Sequence, residues 1–243
     1  METLEAYQEG KVLLIDKPLN WTSFQVVNKI RWLIKQQFEI KKIKVGHAGT
    51  LDPLATGLLI LCTGKFTKKI ESYQAQVKEY TGTITLGATT PSYDLESEAD
   101  QTFDISGITK EDILKNTQHF IGEIQQQPPI FSALKKDGKR LYEYAREGEH
   151  VEIPKRTITI NEFEITNIDM PNVEFRVVCS KGTYIRSLAD DFGKMLNNGA
   201  HLSSLRRTKI GDFSVDNAFG VLAFEEDFSF TTDWAELCKC SSC

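Results

Sequence analysis

The sequence predicts a mixed α+β protein with a largely antiparallel sheet, and three observations lead there. Stretches with the two-residue period of strands and stretches with helical spacing share one chain. They do not alternate regularly enough for a doubly wound parallel sheet. The composition, 40% hydrophobic and 26% charged with 16 Gly and 7 Pro, is globular. A chain of 243 residues can bury a substantial core, as one large domain or two small ones. No apolar run approaches the roughly 18 to 20 residues a membrane helix needs. Met1-Glu2-Thr3-Leu4-Glu5 also lacks a basic region followed by an apolar core, so neither spanning nor secretion is expected.

The elements follow in order. Lys11-Val12-Leu13-Leu14-Ile15-Asp16 predicts a short buried strand, ended by Lys17-Pro18. Thr22-Ser23-Phe24-Gln25 has capping-box spacing, and Val26, Val27, Ile30, Leu33 and Ile34 recur at helical intervals, which predicts a helix over 23–37. Residues 46–57, with three glycines and a proline, predict an irregular loop feeding a buried strand, Leu58-Leu59-Ile60-Leu61-Cys62. Tyr80, Gly82, Ile84 and Leu86 alternate with Thr81, Thr83 and Thr85, the pattern of a half-buried strand. An acidic, turn-rich stretch and a helix over about 109–119 come next. Residues 125–156 form an excursion, with Pro128-Pro129, a turn at Lys136-Asp137-Gly138-Lys139 and a short amphipathic segment around Leu141, Tyr144 and Ala145. Strands resume at about 157–166 and 173–179. Ser180-Lys181-Gly182 then turns into a helix capped by Thr183, with the apolar stripe Ile185, Leu188, Ala189, Phe192 and Leu196.

The net charge of −5 argues at first sight against a nucleic-acid partner, but the charge is unevenly spread. Residues 90–112 and 212–243 each sum to −6, whereas residues 16–44 sum to +5. Basic surface of that size can attract a polyanion, and a solvated helix face would account for it equally well. Cys62 and Cys179 lie in apolar stretches, and Cys238, Cys240 and Cys243 crowd the C-terminus, so no disulfide framework is apparent. A reducing cytoplasm is the expected setting. The three tail thiols fall short of the four ligands of a closed zinc site, and a plain tail is the favoured reading.

Three stretches could carry chemistry. In the 46–57 loop, glycines would let the main chain approach a ligand, and Pro53 biases Asp52 towards an extended conformation that projects its carboxylate. An Asp capping a turn would look the same. Gly64-Lys65 follows a strand but fails as a phosphate-binding loop, because Leu59 stands where the first glycine is needed and Phe66 where Ser or Thr is. No dinucleotide fingerprint, nucleophile elbow or His-rich metal motif is present. The third stretch is Lys181-Gly182-Thr183-Tyr184-Ile185-Arg186. Arg186 falls in the first turn of a helix, where a cation is mildly disfavoured and calls for a carboxylate or phosphate, Asp52 being one candidate.

Gly46-His47-Ala48-Gly49-Thr50-Leu51-Asp52-Pro53-Leu54-Ala55-Thr56-Gly57 resembles the catalytic motif of the bacterial tRNA pseudouridine-55 synthases. The resemblance continues in order through Ile15-Asp16-Lys17-Pro18, Lys78-Glu79-Tyr80, 129–135, 179–188 and 199–207, and so spans about residues 11–211. It implies a pseudouridine-synthase-like fold, with a central mixed, largely antiparallel sheet flanked by helices and loops. It also implies an isomerase that flips one T-loop uridine of tRNA, breaks the N1–C1′ bond and rejoins the ring through C5. Asp52 matches the essential aspartate, and Arg186 the arginine that pairs with it. Tyr80 matches a tyrosine that stacks on the base, with Tyr184 in the same pocket. His47 matches a residue that holds the base out of the stack, Leu205 an apolar pocket wall, and Lys17-Pro18 a nearby strand end. Gly46, Gly49 and Lys135 belong to the substrate-binding motifs. Whether Asp52 attacks C1′ or assists an elimination stays open.

The resemblance further implies no cofactor, no metal and no nucleotide. The implied partner is the T-arm stem-loop of tRNA, bound by a monomer whose basic segment 16–44 and whose Lys135, Lys136, Lys139 and Arg140 grip the backbone. Only 32 residues follow Gly211, too few for the RNA-binding PUA domain that many family members carry. One catalytic domain with an acidic tail at about 212–243 is therefore expected. Phe131 replaces a frequent tyrosine. A catalytically idle RNA-binding protein or tRNA chaperone on the same fold is the alternative.

Overall fold

The computed structural model describes residues 3–132, 134–149 and 151–225. In chain order the elements are α1 (Leu4–Glu9), β1 (Val12–Lys17), α2 (Ser23–Gln37), β2 (Val45–His47), β3 (Ala55–Thr63), α3 (Ile70–Gln74), β4 (Lys78–Leu86), β5 (Ala88–Thr89), β6 (Gln101–Thr102) and α4 (Lys110–Asn116). They continue with β7 (Gly122–Gln126), β8 (Lys135–Lys136), β9 (Lys139–Arg140), α5 (Leu141–Arg146), β10 (Arg156–Asp169), β11 (Asn172–Cys179), α6 (Ile185–Met195), β12 (Ala200–Ile210), β13 (Phe213–Ser214) and β14 (Phe219–Gly220). Short 3₁₀ turns cover Gly64–Lys69, Thr117–Phe120 and Val215–Asn217. The chain forms two compact units, residues 1–76 with 206–243 and residues 77–205. The class is mixed α+β, as the periodicities predict.

In the first unit the strands run in the order β14-β1-β3-β12. β1 pairs antiparallel with β3 from Val12↔Cys62 to Lys17↔Gly57, and β14 lies parallel to β1. β3 is buried on both faces, which explains its unbroken apolar run. Leu59 and Leu61 pack with Ile15 and the α2 stripe Val26, Val27, Ile30, Leu33 and Ile34, while Leu58, Ile60 and Cys62 pack with Ala48, Ile210 and Val215. Each such Leu or Ile contributes roughly 1.5–3 kcal/mol of transfer free energy. α2 starts where the sequence places it. The Thr22 hydroxyl accepts from Gln25 N (3.1 Å), and Gln25 Oε1 accepts from Thr22 N (2.7 Å).

The predicted loop 46–57 is shorter than expected, because its ends join strands. β2 takes residues 45–47, and β3 begins at Ala55 rather than at Leu58. Backbone pairing to β1 carries β3 back to Gly57, opposite Lys17, where no apolar side chain marks the strand. Gly57 has φ +103°, and a Cβ there would collide with the backbone of Arg207. Gly64, weighed above as a phosphate-loop glycine, has φ +50° and presses on the Gln8 carbonyl, so its role is close packing. Helix α1, capped by the Thr3 hydroxyl, is too short to betray itself by period.

In the second unit the order is β12-β4-β11-β10-β7. β4, β11, β10 and β7 pair antiparallel in turn, with Tyr80 opposite Val177 and Ile158 opposite Ile124. Phe120, Phe163, Phe175 and Phe192 form a cluster with centroids 5.7–6.0 Å apart, mostly edge to face. The α6 stripe Ile185, Leu188, Ala189 and Phe192 is buried, and Phe192 is its member in this cluster. Two expectations need correction. The helix foreseen over 109–119 ends at Asn116 and tightens into a 3₁₀ turn. Thr183 does not cap α6: its hydroxyl donates to Ser180 O (3.0 Å), closing the Gly182 turn, and Tyr184 takes the N-cap position without a side-chain cap of its own. No helix of the described residues is long and apolar enough to cross a membrane. The foreseen Cys238, Cys240 and Cys243 tail, and most of the acidic stretch 212–243, lie outside the described residues.

Candidate active site

The first unit builds a stiff turn around Asp52. Ser23, at the start of α2, binds Leu51 twice: Leu51 N donates to its Oγ (2.8 Å), and that Oγ donates to Leu51 O (3.1 Å). Asn20 N donates to Pro53 O (2.8 Å), and Ala55 N closes the turn onto Asp52 O (3.1 Å). On the other side Ala48 N donates to Ile60 O (2.8 Å), continuing the β2–β3 ladder in which Gly46 faces Cys62 and His47 faces Leu61.

Two buried cations complete the scaffold. The Lys17 ammonium, wholly buried at the end of β1, donates to the carbonyls of Pro18 (2.9 Å), Trp21 (2.6 Å) and Pro53 (3.3 Å). Burial pushes its pKa down to about 8, opposed by the charges of Asp52 and Asp16 and aided by Arg207. The Arg207 guanidinium, also buried, donates to Leu58 O (2.8 Å), Gly49 O (3.1 Å) and Thr50 O (3.5 Å). The flanking Arg206 grips Asp16 with two nitrogens (3.0 and 2.7 Å). Burial lowers the pKa of His47, against a hydrogen bond with the Gly49 backbone, so its imidazole is neutral at pH 7.

The second unit holds Tyr80, Tyr184, Arg186, Leu205 and Lys135. Tyr80 lies in β4 and is 8% exposed; Leu205 in β12 is half-buried. Arg186, in the first turn of α6, is 4% exposed. Its guanidinium donates to Phe131 O (2.9 Å) and Ser92 O (3.3 Å) and stands 3.4 Å from the Asp94 carboxylate. A carboxylate of the kind the helix position calls for thus stands beside it within the unit: Asp94, which is 4% exposed and whose Oδ1 accepts from Glu96 N (3.0 Å). The Tyr184 ring lies under the Arg156 guanidinium at 4.5 Å.

Among the excursion cations, Lys136 donates to Glu152 O (2.7 Å), and Lys139 is engaged by Glu147 and by the Tyr144 ring. Lys135 and Arg140 are exposed. Among the described residues no group of three His, Cys, Asp or Glu side chains could hold a metal ion.

Residues 35–185 match the TruB family pseudouridylate synthase (N terminal domain). The chain belongs to the TruB family. Residues 186–234 match the tRNA pseudouridylate synthase B C-terminal domain. The chain is 64% identical over 225 residues to tRNA pseudouridine synthase B of Flavobacterium johnsoniae, covering 92% of this chain and 98% of that one. It is 56% identical over 220 residues to the protein of the same name from Phocaeicola vulgatus, covering 90% and 94%. Among solved structures, a chain in the crystal structure of a Cbf5-Nop10-Gar1 complex matches with a TM-score of 0.71 at 30% identity. That match covers 94% of this chain and 57% of the solved one.

Within this TruB-family chain, sequence reasoning missed the supporting residues. Ser23 appears in the sequence only as part of a capping box, and Arg207 only as the end of a quoted motif. Asp94 is one carboxylate among seven in a stretch that looks solvated. Its signal would have been Arg186 in the first turn of a helix, where a cation calls for an acid beside it.

Proposed function

We propose that this chain isomerises uridine 55 in the T-loop of tRNA to pseudouridine, acting as a monomer on the T-arm stem-loop. The observation that carries the reading is the Asp52 turn, in which Ser23, Asn20, Lys17 and Arg207 fix the backbone around one partly exposed carboxylate. A turn that served only to reverse the chain would not require two buried cations.

In the isomerisation the N1–C1′ bond breaks, the uracil turns about, and C1′ bonds to C5. C5 loses a proton and N1 gains one, so the ring is conserved atom for atom and no electrons leave it. An aspartate is ordinarily ionised at neutral pH, and the carboxylate of Asp52 is the group assigned to act at the sugar. Lys17 and Arg207 hold the turn through the carbonyls of Pro53, Gly49 and Thr50.

Tyr80 and Arg186 are assigned to the same reaction. Tyr80 stacks on the everted base, and stacking returns about 1–3 kcal/mol against an unstacking cost of a few. Arg186 supplies a fixed positive charge, with Tyr184 beside it. His47 meets the base as a neutral imidazole, Leu205 provides an apolar wall, and Lys135 contacts phosphate.

The test is incubation with an unmodified tRNA transcript and with its isolated T-arm stem-loop, followed by mapping of pseudouridine. Conversion of uridine 55 in both is expected. Absence of pseudouridine, or its appearance only at another position, would overturn the reading.

A further inference from the structure

Helix α6 begins at Ile185 without a side-chain cap on its N-cap residue, Tyr184, although Arg186 has to be held two positions later. The missing constraint comes from the end of β7. Gln126, 0% exposed, accepts from Tyr184 N through Oε1 (2.8 Å) and donates to Tyr184 O through Nε2 (3.0 Å). Its amide thus pairs with both backbone groups of one residue, as a neighbouring strand would. Tyr184 O also accepts from Leu188 N (3.1 Å), the first bond of the helix. The next residues extend the seam: Ser187 Oγ donates to Gln127 O (2.8 Å), and Arg186 donates to Phe131 O (2.9 Å).

We propose that Gln126 is a positioning residue for the isomerisation, fixing Arg186 by clamping the Tyr184 backbone. The proposal rests on the role given to Arg186 above. Only an amide of this length both accepts and donates there without adding charge beside a guanidinium. Loosening the clamp lets the first turn of α6 shift, and an error of about 1 Å in a reacting geometry can cost as much as a hundredfold in rate.

The experiment is steady-state kinetics of the full chain on unmodified tRNA transcript. Gln126→Met keeps the reach of the side chain and removes both bonds. Its kcat is expected to fall about tenfold or more, with KM within about threefold. Gln126→Glu keeps the acceptor for Tyr184 N and is expected to lose kcat in the same direction by less; it carries the comparison if the methionine variant does not fold.

Asn116→Leu is the control. Asn116, the last residue of α4, is a buried amide whose Nδ2 donates to Phe192 O (2.9 Å), a carbonyl of α6 further along the helix from Arg186. This variant is expected to lower the thermal midpoint as much while leaving kcat within about threefold. The proposal is overturned if Gln126→Met keeps its kcat, if the loss lies in KM, or if Asn116→Leu loses kcat equally. A wild-type chain that forms no pseudouridine would instead overturn the functional reading on which the proposal stands.

Discussion

The Asp52 turn and the start of α6 are both built around buried cations that donate to backbone carbonyls, yet they treat charge differently. Around Asp52, Lys17 and Arg207 spend their donors on six carbonyl oxygens, those of Pro18, Trp21, Pro53, Leu58, Gly49 and Thr50. At α6, Arg186 reaches two carbonyls and also has the Asp94 carboxylate at 3.4 Å. In the first cluster the cations shape a loop, and the acid beside it is the one assigned to the chemistry in the proposed function. In the second an acid is assigned to the cation, so the guanidinium is itself the group being placed. Lysine can also lose its proton within reach of ordinary pH, and arginine cannot. Only the first cluster should therefore respond to alkali.

Four measurements would break or sharpen this contrast. The largest effect is expected for Asp52→Asn, which should give no detectable pseudouridine while RNA affinity, measured by filter binding, stays within about tenfold, or about 1.4 kcal/mol. Conversion at the wild-type rate would remove Asp52 from the chemistry, and a binding protein with no activity in either form would favour the idle alternative. Next, Arg186→Lys should lower kcat about a hundredfold with little change in KM, because a point charge cannot serve Phe131, Ser92 and Asp94 together. A lysine variant of normal kcat would mean that charge alone, and not its fixed placement, matters at α6.

The third measurement concerns pH. Folded Lys17 titrates near 8, whereas an unfolded lysine titrates at about 10.4, so between those values the unfolded chain binds the extra proton and stability rises with pH. Urea unfolding should show wild type gaining on Lys17→Met from about pH 8 to about pH 10.4, by at most about 3 kcal/mol. A flat difference would mean that the three carbonyls hold the ammonium fully charged. The smallest effect is expected at Lys135, which is exposed. Lys135→Ala should leave kcat alone and reduce the slope of log affinity against log salt by about 0.9, one phosphate contact.

Much of the first unit was legible. The 23–37 helix was bounded by its capping box and apolar period, and both ends agree with the structure. β3 was found from its core but not from its start, since Ala55-Thr56-Gly57 carries no strand pattern and is marked only by backbone pairing, Gly57 lying opposite Lys17 of β1. Asp52, Lys17, Tyr184 and Arg186 were singled out as residues, but Asp94 and Gln126, which stand beside Arg186 and Tyr184, were not. Asp94 looked solvated because its neighbours are acidic and exposed, and Thr183 looked like a cap because helix starts favour threonine, when a turn had already used its hydroxyl.

The sequence by itself determined the α+β class, the apolar faces of α2, β3 and α6, and the motifs that carry the TruB resemblance, because periodicity and motif spacing are properties of residue order. Only the tertiary structure decided that Lys17 and Arg207 would stiffen the Asp52 turn, that Asp94 would answer Arg186, and that Gln126 would clamp Tyr184. The physical reason is that these partners are mostly backbone carbonyls and amides, which every residue carries alike. Nothing in the order of side chains marks the carbonyl that a distant cation will reach until the chain has folded.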